Sequence, residues 1–597
     1  MSPAPRRRPT GGNGLVIGTP SAQPRKVRDP ASGNVFTVRD MSKDARDCND
    51  NIHLDIKIPP AVQVILDSAP VQRLVNLKQL GCAFNAYPCT THTRKEHSLG
   101  VMEIVGRLMS SIQEKQPCLN ITGKDILCVR IAGLCHDLGH GPYSHCYEAF
   151  LKAAYKNEKE HPEQYEERNA RFREQFGVEM PPLPEHYEHE KSSLMMIDSA
   201  LAAEGLEIDW DALDEPLKQI GDGIDREKFG LDLGKGNVDP FTSRDWIFIK
   251  ECIYGGPLDE PHAPTAQVGF VGREKKKEFL YDAVNNRHNG LDLDKMDYYI
   301  RDGRNAYGGQ SNWSIFIRDA FVAKGLCPNP HTCFECKNKE GPVKHLMICY
   351  PKKHVTLAMD FFATRIRNHE NVYTHKKTKG AELQMVDLLL EADKHFEMLL
   401  PTCVDHRSPF QFPVPSRFDG FRFKRLPISR AWMYPELFLR VDDSIVSIIE
   451  MRVLEDPSPQ HNCLMQLIND RRMHKFYKRV AEVEIGIENG KEFWKKTEDE
   501  IKKEFLDDYT RFGGEQARHT SDGNELVLNE SDFIVEKREL HYGRKDKNPV
   551  SQMRFLTKRD QSKLSNPVED LPTAEEVEIL PMNAPRSYLR HTIRLFC

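Results

Sequence analysis

Residues 135–145 read CHDLGHGPYSH, and this stretch decides the fold. It closes an apolar run, Ile126 to Cys135, whose three- and four-residue spacing predicts a helix. Gly139, Gly141 and Pro142 stop that helix and expose its last turn, where His136 and Asp137 stand side by side. At a helix end the two side chains are freed from the separation of about 100° that a continuous helix imposes, so both can face one cation. Earlier in the chain Arg94-Lys95-Glu96-His97-Ser98-Leu99-Gly100 sets a histidine at the start of another amphipathic segment, and much later Asp292-Leu293-Asp294-Lys295 adds carboxylates. Taken singly, His97 reads as a capping or core histidine and Asp294 as a surface carboxylate. Together, His97, His136, Asp137 and Asp294 form a mixed nitrogen and oxygen set. Such a set suits Fe, Mn, Zn, Ni or Mg and leaves positions for water and a phosphate oxygen.

Outward from this point, the pattern from about Asn49 to Leu399 is helical, as in Ala61–Leu66, Gly100–Ile112 and Asp125–Leu134. Between Leu151 and Pro184 the chain is almost entirely charged, which reads as a solvated insertion or lid over residues 151–186. After about Ser444 the character changes: a basic segment (Arg471 to Arg479), a β-like stretch around Phe533–Val535 and the turn Lys547-Asn548-Pro549 predict a smaller α+β lobe. The expected organisation is a mainly α protein with a disordered basic tail (1–40), a helical core (41–440) and a C-terminal α+β lobe (441–597). The 597 residues exceed what one core of about 250–300 residues holds. The tail carries six Lys or Arg and no Asp or Glu in its first 28 residues, with Arg6-Arg7-Arg8 and Arg25-Lys26 as a nuclear import signal, a polyanion contact or a plain solvated leader. A net charge of -5 leaves no global nucleic-acid footprint, and no apolar run approaches the roughly 20 residues of a membrane helix. With no secretory pattern after the basic start, a nuclear or cytoplasmic location without membrane contact is expected.

Five ordered strings carry a resemblance: HTRKEHSLG (His92–Gly100), CHDLGHGPYSH, YEHEKSS (Tyr187–Ser193), NGLDLDKMDYYIRD (Asn289–Asp302) and TRIRNHENVYTHKK (Thr364–Lys377). In order and spacing they resemble the sterile-alpha-motif and HD-domain-containing deoxynucleoside triphosphate triphosphohydrolases, over roughly Asn49 to Lys377 and weakly over Asp532 to Pro549. The resemblance implies an HD-domain helical core with a regulatory C-terminal lobe. It further implies a divalent metal (Fe, Zn or Mn) on the H…HD…D set and Mg with the triphosphate. The tail is too short and polar to fold as a sterile-alpha-motif domain. His140, His145 and His189, the last next to Glu190, add imidazoles, the side chain suited to acid-base chemistry near neutrality. The resemblance places His145 by the scissile phosphoester and His189 in a proton-transfer set with His140. Arg94, Lys295 and Arg365 can neutralise phosphate oxygens. By the same carry-over Gln79 and Asp302 hold the sugar 3'-hydroxyl, Tyr298 packs on the sugar, and Tyr373 with Leu80 crowds the 2' position, selecting deoxyribose by a rigid clash.

The family is assembled into tetramers by nucleotides bound between subunits. Here Asn49, Asp67 and Gln72 match its guanine-site segments, and Lys353, His375, Lys376 and Lys547 match positions that touch activator phosphates. Val75 stands where the family has a guanine-reading arginine. His474, with Arg471, Arg472 and Lys478 nearby, replaces a second one. A GTP or dNTP activator and a homotetramer or dimer are the corresponding expectations. Of the fifteen cysteines, Cys327, Cys333 and Cys336 with His331 form an insertion (325–345) that reads as a structural zinc clip, as free thiols in a loop or as a redox switch, with Cys349 as a further partner. Two other functions remain open on the residues alone. One is another HD phosphohydrolase, a 5'-nucleotidase or phosphodiesterase. The other is a scaffold that binds single-stranded nucleic acid through the tail and the Arg471–Arg479 cluster.

Overall fold

Thr93 and Thr122 open the two helices that frame the molecule, each in a capping box that satisfies otherwise orphaned backbone N–H groups: α1 (Arg94–Lys115) with Glu96, and α2 (Gly123–Cys135) with Asp125. In this computed structural model the described residues are 26–28, 35–37, 45–234, 237–265, 267, 269–309, 313–331, 333–337, 343–402, 422–485, 490–511, 517–519, 525–577, 585 and 587–597. Helix α1 packs along α2, burying Val101, Met102, Val105, Leu108 and Met109 against Val129, Ile131, Ala132 and Leu134. Each large apolar side chain so buried contributes about 1.5–3 kcal/mol over its exposed state.

Around this pair lie α3 (His145–Glu160), α4 (Glu166–Phe176), α5 (His189–Ala203), α6 (Ser243–Tyr254), α7 (Leu293–Tyr307), α8 (Val355–Asn368) and α9 (Lys376–His395). An antiparallel hairpin, β1 (Phe321–Leu326) and β2 (Lys344–Pro351), runs in register from Phe321 opposite Cys349 to Leu326 opposite Lys344. Two short C-terminal strands, Phe555–Leu556 and Thr573–Ala574, add in parallel to its outer edges, making four strands. A separate antiparallel sheet orders β3 (Arg479–Ile485), β5 (Leu589–Phe596) and β4 (Ile534–His541), with β5 in the middle. It covers its own small core of Ile501, Leu506, Phe533, Val535, Ile593 and Leu595. A mainly α core with a smaller α+β part is thus what forms. The main core also takes in Ile445, Ile449, Leu464 and Ile468 from two helices beyond residue 440.

One expectation is corrected. The charged segment 151–186 is largely exposed, as its composition suggests, but it does not hang free: it is helical over the end of α3 and all of α4, and buried ion pairs pin it down. Arg168 is buried between Asp393 (3.1 Å) and Glu158 (2.8 Å), and Arg430 grips Glu158 at 2.7 Å. Leu151, Phe172 and Leu183 join the main core. What charge density does not reveal is that some of these charges neutralise one another while a few apolar side chains anchor the segment. Of the basic tail, Lys26–Arg28 pairs with Val35–Thr37, and the rest of residues 1–40 lies outside the described residues. Among the described residues no helix is long and apolar enough to cross a membrane.

Candidate active site

Four side chains from three distant stretches meet in the cup between α1, the end of α2 and the start of α7. His97 Nε2 lies 3.1 Å from His136 Nε2 and 3.0 Å from Asp294 Oδ1, His136 Nε2 lies 3.2 Å from the same oxygen, and Asp137 approaches the two imidazoles at 3.6 and 3.4 Å. The far nitrogens set the tautomers. His136 Nδ1 sits 2.9 Å from the carbonyl of Gly133, to which only an N–H can bond, and His97 Nδ1 sits 2.7 Å from Asp297 Oδ2. Each neutral ring therefore presents a lone pair at Nε2, and two lone pairs facing each other across 3.1 Å need a proton or a cation between them. This donor set fits a divalent cation.

The support behind His97 is a buried relay. Asp297 also receives His53 Nε2 (2.5 Å) and, bidentately, Nε and Nη2 of Arg301 (2.9 Å each), and Arg301 Nη1 bonds Asp50 on the far side at 2.8 Å. Gly100 makes room for it: a Cβ there would stand 2.1 Å from Asp297 Oδ1 and 2.5 Å from Arg301 Nη2. Burial opposes the charged form of His97, yet its bonds to Asp294 and Asp297 outweigh that and raise its pKa to about 10 in the cation-free cup. Burial likewise opposes ionisation of Asp137, but Arg94, 2.7 Å away, and the neighbouring histidines hold it well below the usual carboxylate range.

Beside the cup stands a second imidazole group. The ring of His140 stacks on that of His189, with centroids 3.8 Å apart, and His145 stands edge-on to His140 at 5.1 Å. Glu148 joins them, 3.0 Å from His189 Nδ1 and 3.1 Å from His145 Nδ1, whereas Glu190 lies 3.6 Å from His189. Burial, then the charges of Arg94 and His189, push His140 well below the usual imidazole range, so it is neutral. Burial opposes charging His189, but Glu190 and the bond to Glu148 raise it to about 9, so it is cationic near pH 7. The constellation holds one neutral and one protonated ring next to the cup, with the half-buried Glu148 between proton carriers. The segment preceding α3 is strained to achieve this: Tyr143 and Ser144 both adopt left-handed φ, 56° and 57°. Gly139 permits the close approach of α5, since a Cβ would lie 2.1 Å from the carbonyl of His189.

On the other side of the cup, Asp302 accepts from Tyr373 Oη (2.7 Å) and is bonded by His92 Nε2 (2.8 Å). Tyr373 arrives there because α8 widens into one π turn, His369–Tyr373. Tyr298 stands edge-on to His97, with ring centroids 6.2 Å apart. Gln79 is buried, and its Oε1 has no hydrogen-bond partner among the described residues, while Leu80 is half-buried beside it. Of the three cations expected to meet phosphate, Arg94 is spent on the site itself, bonding Asp137, Ser144 Oγ (2.9 Å) and the Gln79 carbonyl. Lys295 bonds Asp292 at 2.6 Å, and Arg365 reaches the carbonyl of His541 on β4.

The expected activator residues do not gather in this cup. Asp67 is held by both guanidinium nitrogens of Arg46, and Gln72 by Lys95 at 2.9 Å. Asn49 lies on a strand opposite Asp55, and Val75 is exposed beside them in sequence. Lys353 pairs with Asp319 at 3.1 Å, His375 caps α9 next to Lys376, and Lys547 donates its backbone N–H to Arg544. His474 holds a left-handed φ of 55°.

The helical cup and its histidine and aspartate set define a protein of the HD-domain class, and the HD domain family matches residues 94–198. The deoxynucleoside triphosphate triphosphohydrolase SAMHD1 of Bos taurus is 30% identical over 552 residues, spanning 92% of this chain and 74% of that protein. The SAMHD1 of Gallus gallus is 30% identical over 552 residues and 71% of its length, and the SAMHD1 homolog of Dictyostelium discoideum 26% over 586 residues and 84% of its length. This chain belongs to the SAMHD1 family.

Several residues of the site escaped the sequence. Asp297 was findable, three positions after Asp294 on the same helical face, and so was Glu148, three after His145. His92 and Arg301 lie inside the quoted strings without an assigned role, and Arg301 stands four residues after Asp297 on the same helix, whereas His53 carries no local signal and only the fold brings it in.

Proposed function

We propose that the chain is a metal-dependent hydrolase that converts deoxynucleoside triphosphates to the deoxynucleoside and inorganic triphosphate, and so controls dNTP pools. One observation carries the reading: two imidazole lone pairs 3.1 Å apart, flanked by two aspartates, in a cup that continues into the His140–His145–His189 group. His97, His136, Asp137 and Asp294 would hold the cation, with Fe, Mn or Zn suited to the mixed set and Mg to the triphosphate. When bound, a divalent cation supplies Lewis acidity at the α-phosphoryl oxygens and acidifies water there.

The chain's own groups do the rest. Water attacks the α-phosphorus, the bond to the 5'-oxygen breaks, and that oxygen leaves with a proton from His145, which Glu148 orients at 3.1 Å. Neutral His140 and protonated His189 form the store from which the water's proton is taken up and His145 is recharged. Lys295 and Arg365 bind the phosphates, exchanging Asp292 and a backbone carbonyl for the ligand, and Arg94 serves mainly by fixing Asp137. Gln79 and Asp302 bind the 3'-hydroxyl, an assignment favoured by the unpartnered Gln79 Oε1. Tyr298 packs on the sugar. Tyr373, tied to Asp302 and aided by Leu80, fills the space a 2'-hydroxyl needs.

For regulation, we assign Asn49, Asp67, Gln72, Lys353, His375, Lys376 and Lys547 to a nucleotide site completed by a second subunit, with GTP or a dNTP as activator, a homotetramer or dimer as the active form and a nuclear or cytoplasmic location. Substrate incubations with each dNTP and NTP, with and without GTP, resolved by chromatography, test the reaction. Inorganic triphosphate is the expected product. Release of only phosphate or pyrophosphate overturns it and favours a 5'-nucleotidase or phosphodiesterase.

A further inference from the structure

The hairpin β1–β2 carries at its tip a second group of metal-ligating side chains, away from the cup. Cys327 follows β1, Cys333 and Cys336 lie beyond it, and His345 returns on β2 opposite Gly325. Their donor atoms, three sulfurs and one imidazole nitrogen, all lie within 4.8 Å of one another. His345 Nε2 is 3.3 Å from Cys336 Sγ and 3.6 Å from Cys333 Sγ. Around a tetrahedral zinc, with Zn–S of about 2.3 Å and Zn–N of about 2.0–2.1 Å, adjacent sulfur and nitrogen ligands sit roughly 3.5 Å apart. The outer contacts are those of a metal-bound imidazole: His345 Nδ1 meets Glu278 Oε2 at 3.0 Å, and the other oxygen of Glu278 accepts from Leu346 N at 2.6 Å. His288, anchored to Asp282 at 2.7 Å, sets its ring 5.1 Å from that of His345, outside the group.

The geometry points to a structural zinc bound by Cys327, Cys333, Cys336 and His345, separate from the catalytic cation. His331, the ligand expected from spacing, is exposed, and Cys349 faces the interior of the four-stranded sheet, so neither belongs to the set. Free loop thiols have no reason to converge on one imidazole. A disulfide would use two sulfurs and leave the third, with the histidine, unaccounted for. The position also has a consequence. Asn329, within the clip, donates to the carbonyl of His288 at 2.7 Å, and His288 and Asp282 belong to the segment that runs into Asp292 and the start of α7. The zinc thus braces, through the backbone, the chain that delivers Asp294.

Metal analysis of the full chain after exposure to a chelator that strips the catalytic cation tests this. One tightly held zinc per chain is expected. It should be retained in His136→Ala and lost, with a lower Tm, in Cys333→Ser and His345→Ala. Should these variants fail to fold, the wild-type chain decides: titration of thiols with a mercurial should release the zinc, and cobalt substitution should give the intense bands of tetrahedral thiolate ligation. No retained zinc in the wild type, zinc unchanged by Cys333→Ser in folded protein, or a mass short of two hydrogens from a disulfide among these cysteines overturns the proposal. Loss of dNTP hydrolysis with zinc retained would instead bear on the reaction alone.

Discussion

Substituting Gly100→Ala tests the relay behind His97 without touching a ligand. The new Cβ would lie 2.1 Å from Asp297 Oδ1. An ordinary contact of about 3.4 Å requires the carboxylate to retreat by about 1.3 Å, and Arg301, at 2.5 Å, cannot absorb that shift because it is clamped to Asp50. Moving the carboxylate that far strains or breaks the 2.7 Å bond from its other oxygen to His97 Nδ1, which can lengthen to as much as about 4 Å. Losing an outer partner of a metal-bound histidine costs about 10–100-fold in metal affinity, roughly 1.4–2.8 kcal/mol. Overpacking adds about 1–3 kcal/mol of destabilisation. Triphosphate release measured against manganese concentration should therefore show a half-saturation raised by one to two orders of magnitude, with activity recovered at excess metal. A folded Gly100→Ala protein with the wild-type metal requirement would refute the relay and leave Asp297 a purely structural carboxylate.

His136→Ala should lower dNTP hydrolysis by at least about 1,000-fold at any metal concentration, since no excess of cation restores a missing ligand; rates by chromatography check it. Tyr373→Ala should cut the preference for dNTP over NTP by about 10- to 100-fold, read as the ratio of kcat/KM values, because the rigid obstacle at the 2' position is gone. The folded pKa of His189, about 9, exceeds that of free imidazole, near 6.5. Its pairing with Glu148 is thus fully stabilising below about pH 6.5 and is lost as pH rises through 9. Glu148→Gln should move the alkaline limb of the kcat–pH profile to lower pH, and an unmoved limb would separate His189 from proton transfer. Cation binding near pH 7 should release a proton, because His97 titrates near 10 in the cation-free cup. Calorimetry in buffers of differing ionisation enthalpy measures that proton.

Much of this protein was legible in its sequence. The period of α1 and α2 and the glycines and proline after Cys135 named a helical core, because helix periodicity and helix ends are local properties, and they singled out His97, His136, Asp137 and Asp294 as candidate cation ligands. Local rules failed where the decisive partner was remote in the chain. Within the largely exposed 151–186, only the fold shows that Arg168 and Glu158 are fixed by Asp393 and Arg430. Arg94 looked free for phosphate until folding set Asp137 and Ser144 against it. Three cysteines left a metal clip, free thiols and a redox switch open, and strand register, which brings His345 rather than the nearer His331 back among them opposite Gly325, is what favours the clip. Ligand type and helix position are written in neighbouring residues. Which buried charge meets which, and where an imidazole's second nitrogen points, depends on contacts hundreds of residues apart, and only packing of the whole chain decides those.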